Sequence, residues 1–453
     1  MDNKNKTTSV SAKKHRVCQQ LVTATDTHRA MEAVFRIEQA KLIGGLMRMV
    51  RDIGTAEELA QDALVAALEQ WPRSGIPDNP GAWLMTAAKH KAIDRFRRDK
   101  LAERKAGELG YALEVEQETG QPDLDAALDD QVGDDLLRLI FIACHPVLSP
   151  EAQAALTLRL LGGLTTPEIA RAFLLPEATI QQRIVRAKRT LSEKRVPFEA
   201  PRGVELEARL ASVLSVIYLI FNEGYAATAG EDWMRPQLCE EALRLGRILA
   251  ELAREEPEVH GLVALMEIQM SRFAARAGPS GEPVLLLDQD RSRWDQLLIR
   301  RGLAALARAE ALSAASTRNP HPYVLQAAIA ACHARARSAE ETDWARIVGL
   351  YGKLGEVAPS PIVELNRAVA LAMLFGPEAG LNLVDALAGQ PELGTYHLLP
   401  SVRGEFLRQL GRFDEARAEF ERAAGLTRNE RERKLLLDRA ASCVAKLGAH
   451  KEP

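Results

Sequence analysis

The sequence predicts an all-α protein built from several domains. Ala and Leu are abundant while aromatic residues are only 5% of the chain, a balance that favours helices over sheets. Apolar residues recur at three- and four-residue spacing in segment after segment, as on one face of a helix. At 453 residues the chain is too long for one compact helical domain, so about three units are expected.

Composition sets the outer limits. Apolar residues make up 47% and charged residues 27%, a globular balance. A net charge of −3 excludes a uniformly basic, nucleic-acid-coating protein, but the two signs are segregated along the chain and local patches matter more than the sum. Cys18, Cys144, Cys239, Cys332 and Cys443 are scattered without a CxxC pair. That spacing fits a reducing cytoplasm and argues against a disulfide framework or a metal site. The longest uncharged apolar run, Leu210–Asn222, is short of the roughly 20 residues that span a bilayer, so no membrane association is expected. The N-terminus has lysines but no apolar stretch after them, unlike a signal peptide, and residues 1–27 read as a disordered tail.

Residues 28–105 form the first expected domain. Thr55 and Glu58 make a capping box opening a helix, and Glu58, Gln61, Asp62 and Glu69 project from one side of it. A Pro- and Gly-dense loop, Pro72–Gly81, leads to a second helix whose Met85, Ala88, Ala92 and Phe96 can face inward. Lys91, Arg95 and Arg98 share another face, with Lys89, His90 and Arg97 nearby. An acidic helix thus precedes a basic one; each alone also fits an ordinary solvated surface. Trp83 either stacks on a ligand ring or packs in the core.

Residues 106–133 carry Glu108, Glu114, Glu116, Glu118, Asp123, Asp125, Asp129 and Asp130 with no Lys or Arg, the pattern of a flexible acidic linker. Residues 134–197 then supply two helices, the second started by Ser149-Pro150-Glu151, with Cys144 and His145 as packing residues in an apolar run. Two short helices joined by a tight turn follow at 164–191. Thr166 caps the first, with Pro167 at its first position, and Leu174-Leu175-Pro176 breaks it. The second buries Ile180, Ile184, Ala187 and Leu191. Thr179, Gln182, Arg186 and Arg189 take the opposite face, with Gln181 and Arg183 at its edges. A helix packed on one side and lined with Gln and Arg on the other suits the DNA major groove; the same pattern also fits an amphipathic hairpin with a solvated basic face.

The segments EELAQDAL and NPGAWLMTAAKHKAIDRFRR resemble region 2 of bacterial RNA polymerase sigma factors of the extracytoplasmic-function group, and the helix-turn-helix at 164–191 resembles their region 4. The resemblance covers about residues 30–195. It implies that Glu58, Gln61 and Asp62 dock on core RNA polymerase (β′ and β subunits). It implies that Lys89, His90, Lys91, Arg95, Arg97 and Arg98 hold promoter DNA at the −10 element, with the Arg73–Gly81 loop capturing a flipped base. At the −35 element the implied contacts are Thr179, Gln181, Gln182, Arg183 and Arg186, with Lys188 and Arg189 as phosphate clamps. The acidic linker would thread the polymerase channel. The chain departs from the family at His90, where many members carry Asn, and at Ile180–Arg183, where a Val-Arg-Ser-Arg string is common. Gln favours adenine where Arg favours guanine, which implies an unusual −35 element.

Beyond region 4 two further segments are expected, a helical domain at 198–318 and helical repeats at 319–453. Leu206–Gly224 reads as a buried helix before a Gly turn, Leu238–Arg254 and Val259–Arg276 as an antiparallel pair, and the stretch after Trp294 as a helix through Leu312. Gly404, Leu407, Gly411, Phe413, Ala416, Phe420 and Ala423 resemble a tetratricopeptide (TPR) unit, and Ala368, Leu371, Gly376 and Gly380 repeat it about 36 residues upstream. A poorer copy spans Tyr323–Pro359. Stacked units of this kind bind protein or peptide on a concave face. The extension resembles that of sigma factors with a long TPR-like C-terminal part, which implies regulation of the sigma part by its own extension. FNEGY (Phe221–Tyr225) and LLLDQDRSRW (residues 285–294) would contact regions 2 and 4 or serve as turns. Glu223, Asp288, Asp290 and His260 lack diagnostic spacing and no P-loop, GxSxG or HExxH occurs, so neither an enzyme nor a cofactor is expected. A helix-turn-helix regulator with a TPR sensor that is not a sigma factor would explain residues 134–450 equally well, but not the helix pair at 55–98.

Overall fold

The computed structural model describes residues 31–107, 132–315 and 321–449, apart from 32–33, 36–37, 174, 202–203, 228 and 280. The expected N-terminal tail and most of the expected acidic linker lie outside the described residues. The chain is all-α and divides into two compact units: residues 1–171 with 175–213, and residues 172–174 with 214–453.

In the first unit, helical residues 38–50 (α1) are followed by α2 (Ile53–Ser74) and α3 (Pro80–Gly107). Asp52 caps α2, its side chain accepting from Thr55 N at 2.8 Å. The helix therefore begins before the expected Thr55–Glu58 box, because Asp52 offers its carboxylate sooner. It also runs through Pro72, which was expected to open the loop. In the last turn a proline forfeits little, and Gly75, at φ +82°, closes the helix with its N–H on Trp71 O. Ile53, Ala56, Glu57, Ala60, Ala63, Ala67 and Trp71 form the buried stripe of α2. Against it lie Leu84, Ala88 and Ala92 of α3, and the rings of Trp71 and Trp83 meet edge-on at 5.4 Å. Phe96, expected inside, is 43% exposed; Leu84 takes the inward place beside the two alanines.

The rest of this unit is α4 (Val132–Ala143), α5 (Pro150–Leu160), α6 (Thr166–Phe173), α7 (Glu177–Glu193) and the first half of α8 (Val204–Tyr225). Ser149 caps α5, with Pro150 at its first position, as expected. The cap of α6 is Thr165, one residue before the expected Thr166. Thr165 N donates to Glu168 Oε2 at 2.7 Å, and Glu168 N reaches back to Thr165 Oγ1 at 3.4 Å, so the reciprocal box sets the start. Arg209 and Ser212 of α8 fasten it to α4 through Phe141 O and Cys144 O, each at 2.8 Å.

The second unit continues α8 into α9 (Pro236–Leu252), α10 (Pro257–Met270), α11 (Phe273–Arg276) and α12 (Gln296–Ala315). Three helix pairs follow: α13 (Pro322–Arg335) with α14 (Trp344–Val357), α15 (Pro361–Phe375) with α16 (Pro377–Leu387), and α17 (Leu398–Gln409) with α18 (Phe413–Leu426); α19 (Glu430–Ala449) ends the described chain. FNEGY closes α8. A Cβ on Gly224 would fall 2.8 Å from both the backbone N and the Sγ of Cys239, so only glycine permits that approach. Asn429, fully buried, donates to Ala227 O and Asp232 O at 3.2 and 3.1 Å, beside a two-residue parallel pairing of 229–230 with 428–429. In the repeat-like pairs, Gly376 (φ +97°) and Gly411 (φ +76°) make the turns. Gly380 and Gly404 let partner helices close on Ala372 and Phe420.

Two outcomes follow. In Gly380→Ala the added Cβ would lie 2.6 Å from Ala372 Cβ and 2.7 Å from Phe406, costing ~1–3 kcal/mol by overpacking in urea unfolding. Gly389→Ala, which meets open space, stays within ~0.5 kcal/mol. Burial pushes the Glu258 carboxyl up to about 7, although Tyr323 N donates to it at 2.9 Å and His321 Nδ1 stands 3.7 Å away. The folded chain therefore retains a proton there that the unfolded chain releases, and this group's contribution falls as pH rises from about 4.5 to about 7. Glu258→Gln flattens that part of the stability–pH curve.

Candidate polymerase and nucleic-acid interface

The acidic face of α2 is assembled as expected at its outer edge. Glu58 and Asp62 are exposed and Gln61 is half-buried. Glu58 is not left waiting for a partner: its carboxylate pairs with Arg95 Nη1 of α3 at 2.8 Å. The two residues assigned by resemblance to polymerase and to DNA thus hold each other.

The basic face of α3 carries His90, Lys91, Arg97 and Arg98 exposed, with Lys89 and Arg95 half-buried. An open groove runs along Ala87, His90, Lys91, Asp94, Arg97 and Arg98. Asp94 moderates this face: its carboxylate lies 4.0 Å from Arg97, and its backbone oxygen accepts from Arg98 Nε at 3.3 Å. Trp83, edge-on to buried Trp71, takes the packing role.

On α7, Ile180, Ile184, Ala187 and Leu191 are buried. Gln181, Gln182, Arg186 and Arg189 are exposed and Thr179 and Arg183 are half-buried. Four side chains therefore project together from one face of a helix whose other face is anchored. Arg189 Nε donates to Glu193 at 2.6 Å, and that carboxylate raises the guanidinium's proton affinity.

Family models match the two stretches that carry these helices. A family model for sigma-70 region 2 covers residues 34–101 and one for sigma-70 region 4 covers residues 138–191. The ECF RNA polymerase sigma factor SigK of Mycobacterium sp. (strain KMS) is 28% identical over 159 residues, 34% of this chain and 77% of that protein. SigK of Mycobacterium tuberculosis (strain CDC 1551 / Oshkosh) is 28% identical over 157 residues, 34% of this chain and 79% of its own length. The chain belongs to the extracytoplasmic-function group of the sigma-70 family. Its extension matches, over residues 209–310, a family of unknown function (DUF6596). An uncharacterized protein of Rhizobium meliloti (strain 1021), 43% identical over 391 residues, covers 86% of this sigma factor and 90% of its own length.

The sigma factor also uses a residue that sequence reasoning passed over. Glu57, on the buried stripe of α2, has a side chain only 4% exposed. Its Oε1 accepts from Arg159 Nε of α5 at 2.7 Å and from Gln61 Nε2 at 3.1 Å. Its Oε2 accepts from Lys188 Nζ of α7. Lys188, assigned to a DNA phosphate, is thus turned toward region 2, its side chain 22% exposed. The signal was present in the sequence: Glu57 falls at helical spacing among Ile53, Ala56, Ala60 and Ala63, and a carboxylate there requires buried cations. Asp135 repeats the arrangement, paired with Arg48 at 2.9 Å and Arg138 at 3.1 Å; burial raises its pKa against the pull of both arginines.

The acids and histidine weighed as a catalytic set are engaged separately. Glu223, with backbone oxygens of Ala172 and Ala229, holds Arg235. Asp290 caps Ser292, and His260 contacts Arg254 O and Arg308. Burial pushes the Cys144 thiol up to about 12, as befits a packing residue. No group of three or more His, Cys, Asp or Glu among the described residues could hold a metal ion.

Glu58 and Arg95 are both substantially exposed, so a double-mutant cycle on them will return a coupling of no more than ~1 kcal/mol, shrinking as salt is added. A larger, salt-insensitive coupling contradicts the reading of this pair as a weak, solvent-screened surface contact.

Proposed function

We propose that this sigma factor docks the Glu58, Gln61 and Asp62 face of α2 on core RNA polymerase, reads a −35 element with α7, and holds and helps to melt the −10 element with α3. The observation that carries this reading is the pairing of two anchored helices, α3 and α7, each with its stripe buried and a cationic or Gln-Arg face outward, in the order of regions 2 and 4. Charges on the docking face fix register and speed encounter more than they add affinity. Unstacking bases costs a few kcal/mol per step, and a protein that uses no nucleotide hydrolysis recovers it by holding the opened strand. Lys89, Lys91, Arg95, Arg97 and Arg98 supply phosphate contacts, with His90 beside them. On α7, Thr179, Gln181, Gln182, Arg183 and Arg186 address base edges, and Lys188 and Arg189 the backbone.

The extension regulates this activity by the same proposal. Its helix pairs α13–α14, α15–α16 and α17–α18 support a TPR-like array that takes a protein or peptide ligand. Among the described residues no helix is long and apolar enough to cross a membrane, in keeping with work in the cytoplasm beside the polymerase. A helix-turn-helix regulator outside the sigma family leaves the region 2 match unexplained.

The deciding experiment adds full-length protein to purified core polymerase and a promoter library. Transcripts start without any other specificity factor. Asp62→Lys reduces initiation at least ~10-fold by loss of polymerase binding, whereas Arg95→Glu leaves polymerase binding intact and lowers promoter opening, with a steep salt dependence for the wild type. Initiation indifferent to both reversals refutes the assignment.

A further inference from the structure

We propose that Arg272, Arg276 and Arg291, in the second unit, form a binding site for a small phosphate monoester. This ligand is additional to the protein or peptide assigned to the helix pairs, and the site does not depend on the sigma-factor reading.

The two motifs of the extension, FNEGY and LLLDQDRSRW, meet here. Tyr225 ends the first; Arg291 and Trp294 belong to the second. Arg272, just before α11, lies between them: its guanidinium carbon is 5.7 Å from the Tyr225 ring centre and 5.9 Å from that of Trp294. Arg276, at the end of α11, stands 3.5 Å from the centre of the same Tyr225 ring and 4.4 Å from that of Trp233. Arg291 stands 4.9 Å from Trp294. The rings attract and hold these planar cations, and hydrogen bonds fix their orientation. Arg276 donates to Tyr225 O, Arg291 to the His333 and Ala336 carbonyls at 2.7 Å, and Arg272 to the Tyr225 hydroxyl.

Those partners are neutral. Among the described residues none of the three arginines is ion-paired with a carboxylate. Glu432, the acid that acts on Arg276, is engaged by Thr427 Oγ1 at 2.8 Å and by His397 at 3.2 Å. Glu340 and Glu341, which act on Arg291, are exposed to water. The cations therefore oppose one another. Burial and the nearby Arg272 pull Arg276 down to about 10. Burial, with Arg272 and Arg291, holds His333 down at about 4, so the imidazole adds no charge near neutral pH. Positive charge gathered in a half-buried place requires an anion. Donors for it are at hand: Arg272 Nε and the indole nitrogens of Trp233 and Trp294 are buried without a partner, and among the described residues Arg272 makes one hydrogen bond.

The chemistry selects the anion. A carboxylate offsets one of three positive charges. A phosphate monoester offsets close to two near neutral pH, through oxygens that a guanidinium fork meets in pairs. Arg276 is only 5% exposed and Trp294 3%, a depth that suits a terminal phosphate and not the diester backbone of a duplex. Tyr225, Arg272 and Arg291 remain partly open to water, which leaves a way in.

The test titrates the full-length protein with glycerol 3-phosphate and with inorganic phosphate by calorimetry, at an ionic strength held constant with potassium acetate. Glycerol 3-phosphate binds at one site per chain. Arg272→Gln weakens it at least ~10-fold, and Arg272→Lys, which keeps the charge and loses the fork, weakens it as well. Thermal unfolding is the second readout: glycerol 3-phosphate raises the melting temperature of the wild type and not that of Arg272→Gln, whereas a general solute effect raises both alike. Absence of binding by either probe overturns the site, and so does binding that both variants leave unchanged. Inorganic phosphate that binds where glycerol 3-phosphate does not overturns the monoester assignment. Should Arg272→Gln not fold, by circular dichroism, Arg272→Lys and the wild-type titration decide. None of these readouts uses polymerase, so their failure leaves the sigma-factor reading intact.

Discussion

A single buried carboxylate constrains the first unit more than any apolar contact does. Glu57 sits where helical spacing demands an apolar side chain, among alanines that bring α2 close to its neighbours. An ion cannot enter such a place alone. It must be met by cations, and the chain supplies them from two helices more than a hundred residues away. The alanines determine how near the helices come; the charges determine which helices they are. Asp135, with Arg48 and Arg138, imposes a second condition of the same kind, and the two together leave one arrangement of α1, α2, α4, α5 and α7 in which both acids are satisfied.

Small residues do comparable work in the second unit without charge. Gly302 lets α12 approach Ile268, where a Cβ would fall at 2.6 Å, and Gly380 and Gly404 do the same within the later pairs. The larger side chains, such as Phe420 and Leu407, then fill the space between pairs. A hairpin of this type cannot bury both its faces by itself, so each pair needs the next. In the clearest repeat unit Ala416, Phe420 and Ala423 are accordingly fully buried.

Much of this was legible from residue spacing. The buried stripe of α7, the polar side of α2, the cap at Ser149 and the long apolar α8 were all readable, because each depends on residues within a turn or two. The errors were also local and have local causes. Thr165 rather than Thr166 caps α6, since the reciprocal bond to Glu168 fits only that offset. Asp52 pre-empts Thr55. Pro72 stays helical because the last turn tolerates it. Phe96 was placed inside by period alone, and helical spacing does not show how far along α3 the packing continues. The partnership of Glu57 with Arg159 and Lys188 was out of reach for a different reason. An amphipathic pattern says that a side chain is buried, but carries no information about which distant helix meets it.

The contrast between buried and exposed ion pairs gives the molecule's charges two separate duties. Glu58–Arg95 and Arg189–Glu193 lie at the surface, their side chains 41% to 76% exposed, where water weakens each attraction and a competing anion or cation can replace either member at little cost. Such pairs keep cationic side chains extended and ready without committing them. Arg159 and Lys188, at 19% and 22% exposure beside Glu57, are held in a medium that screens less, so replacing Glu57 there requires the whole interface to part. A basic residue near the edge of α7 can therefore be either open to solvent or held by a buried carboxylate, and depth of burial decides which. Arg186 is of the first kind and Lys188 of the second, although they lie two positions apart on one helix and both are cations.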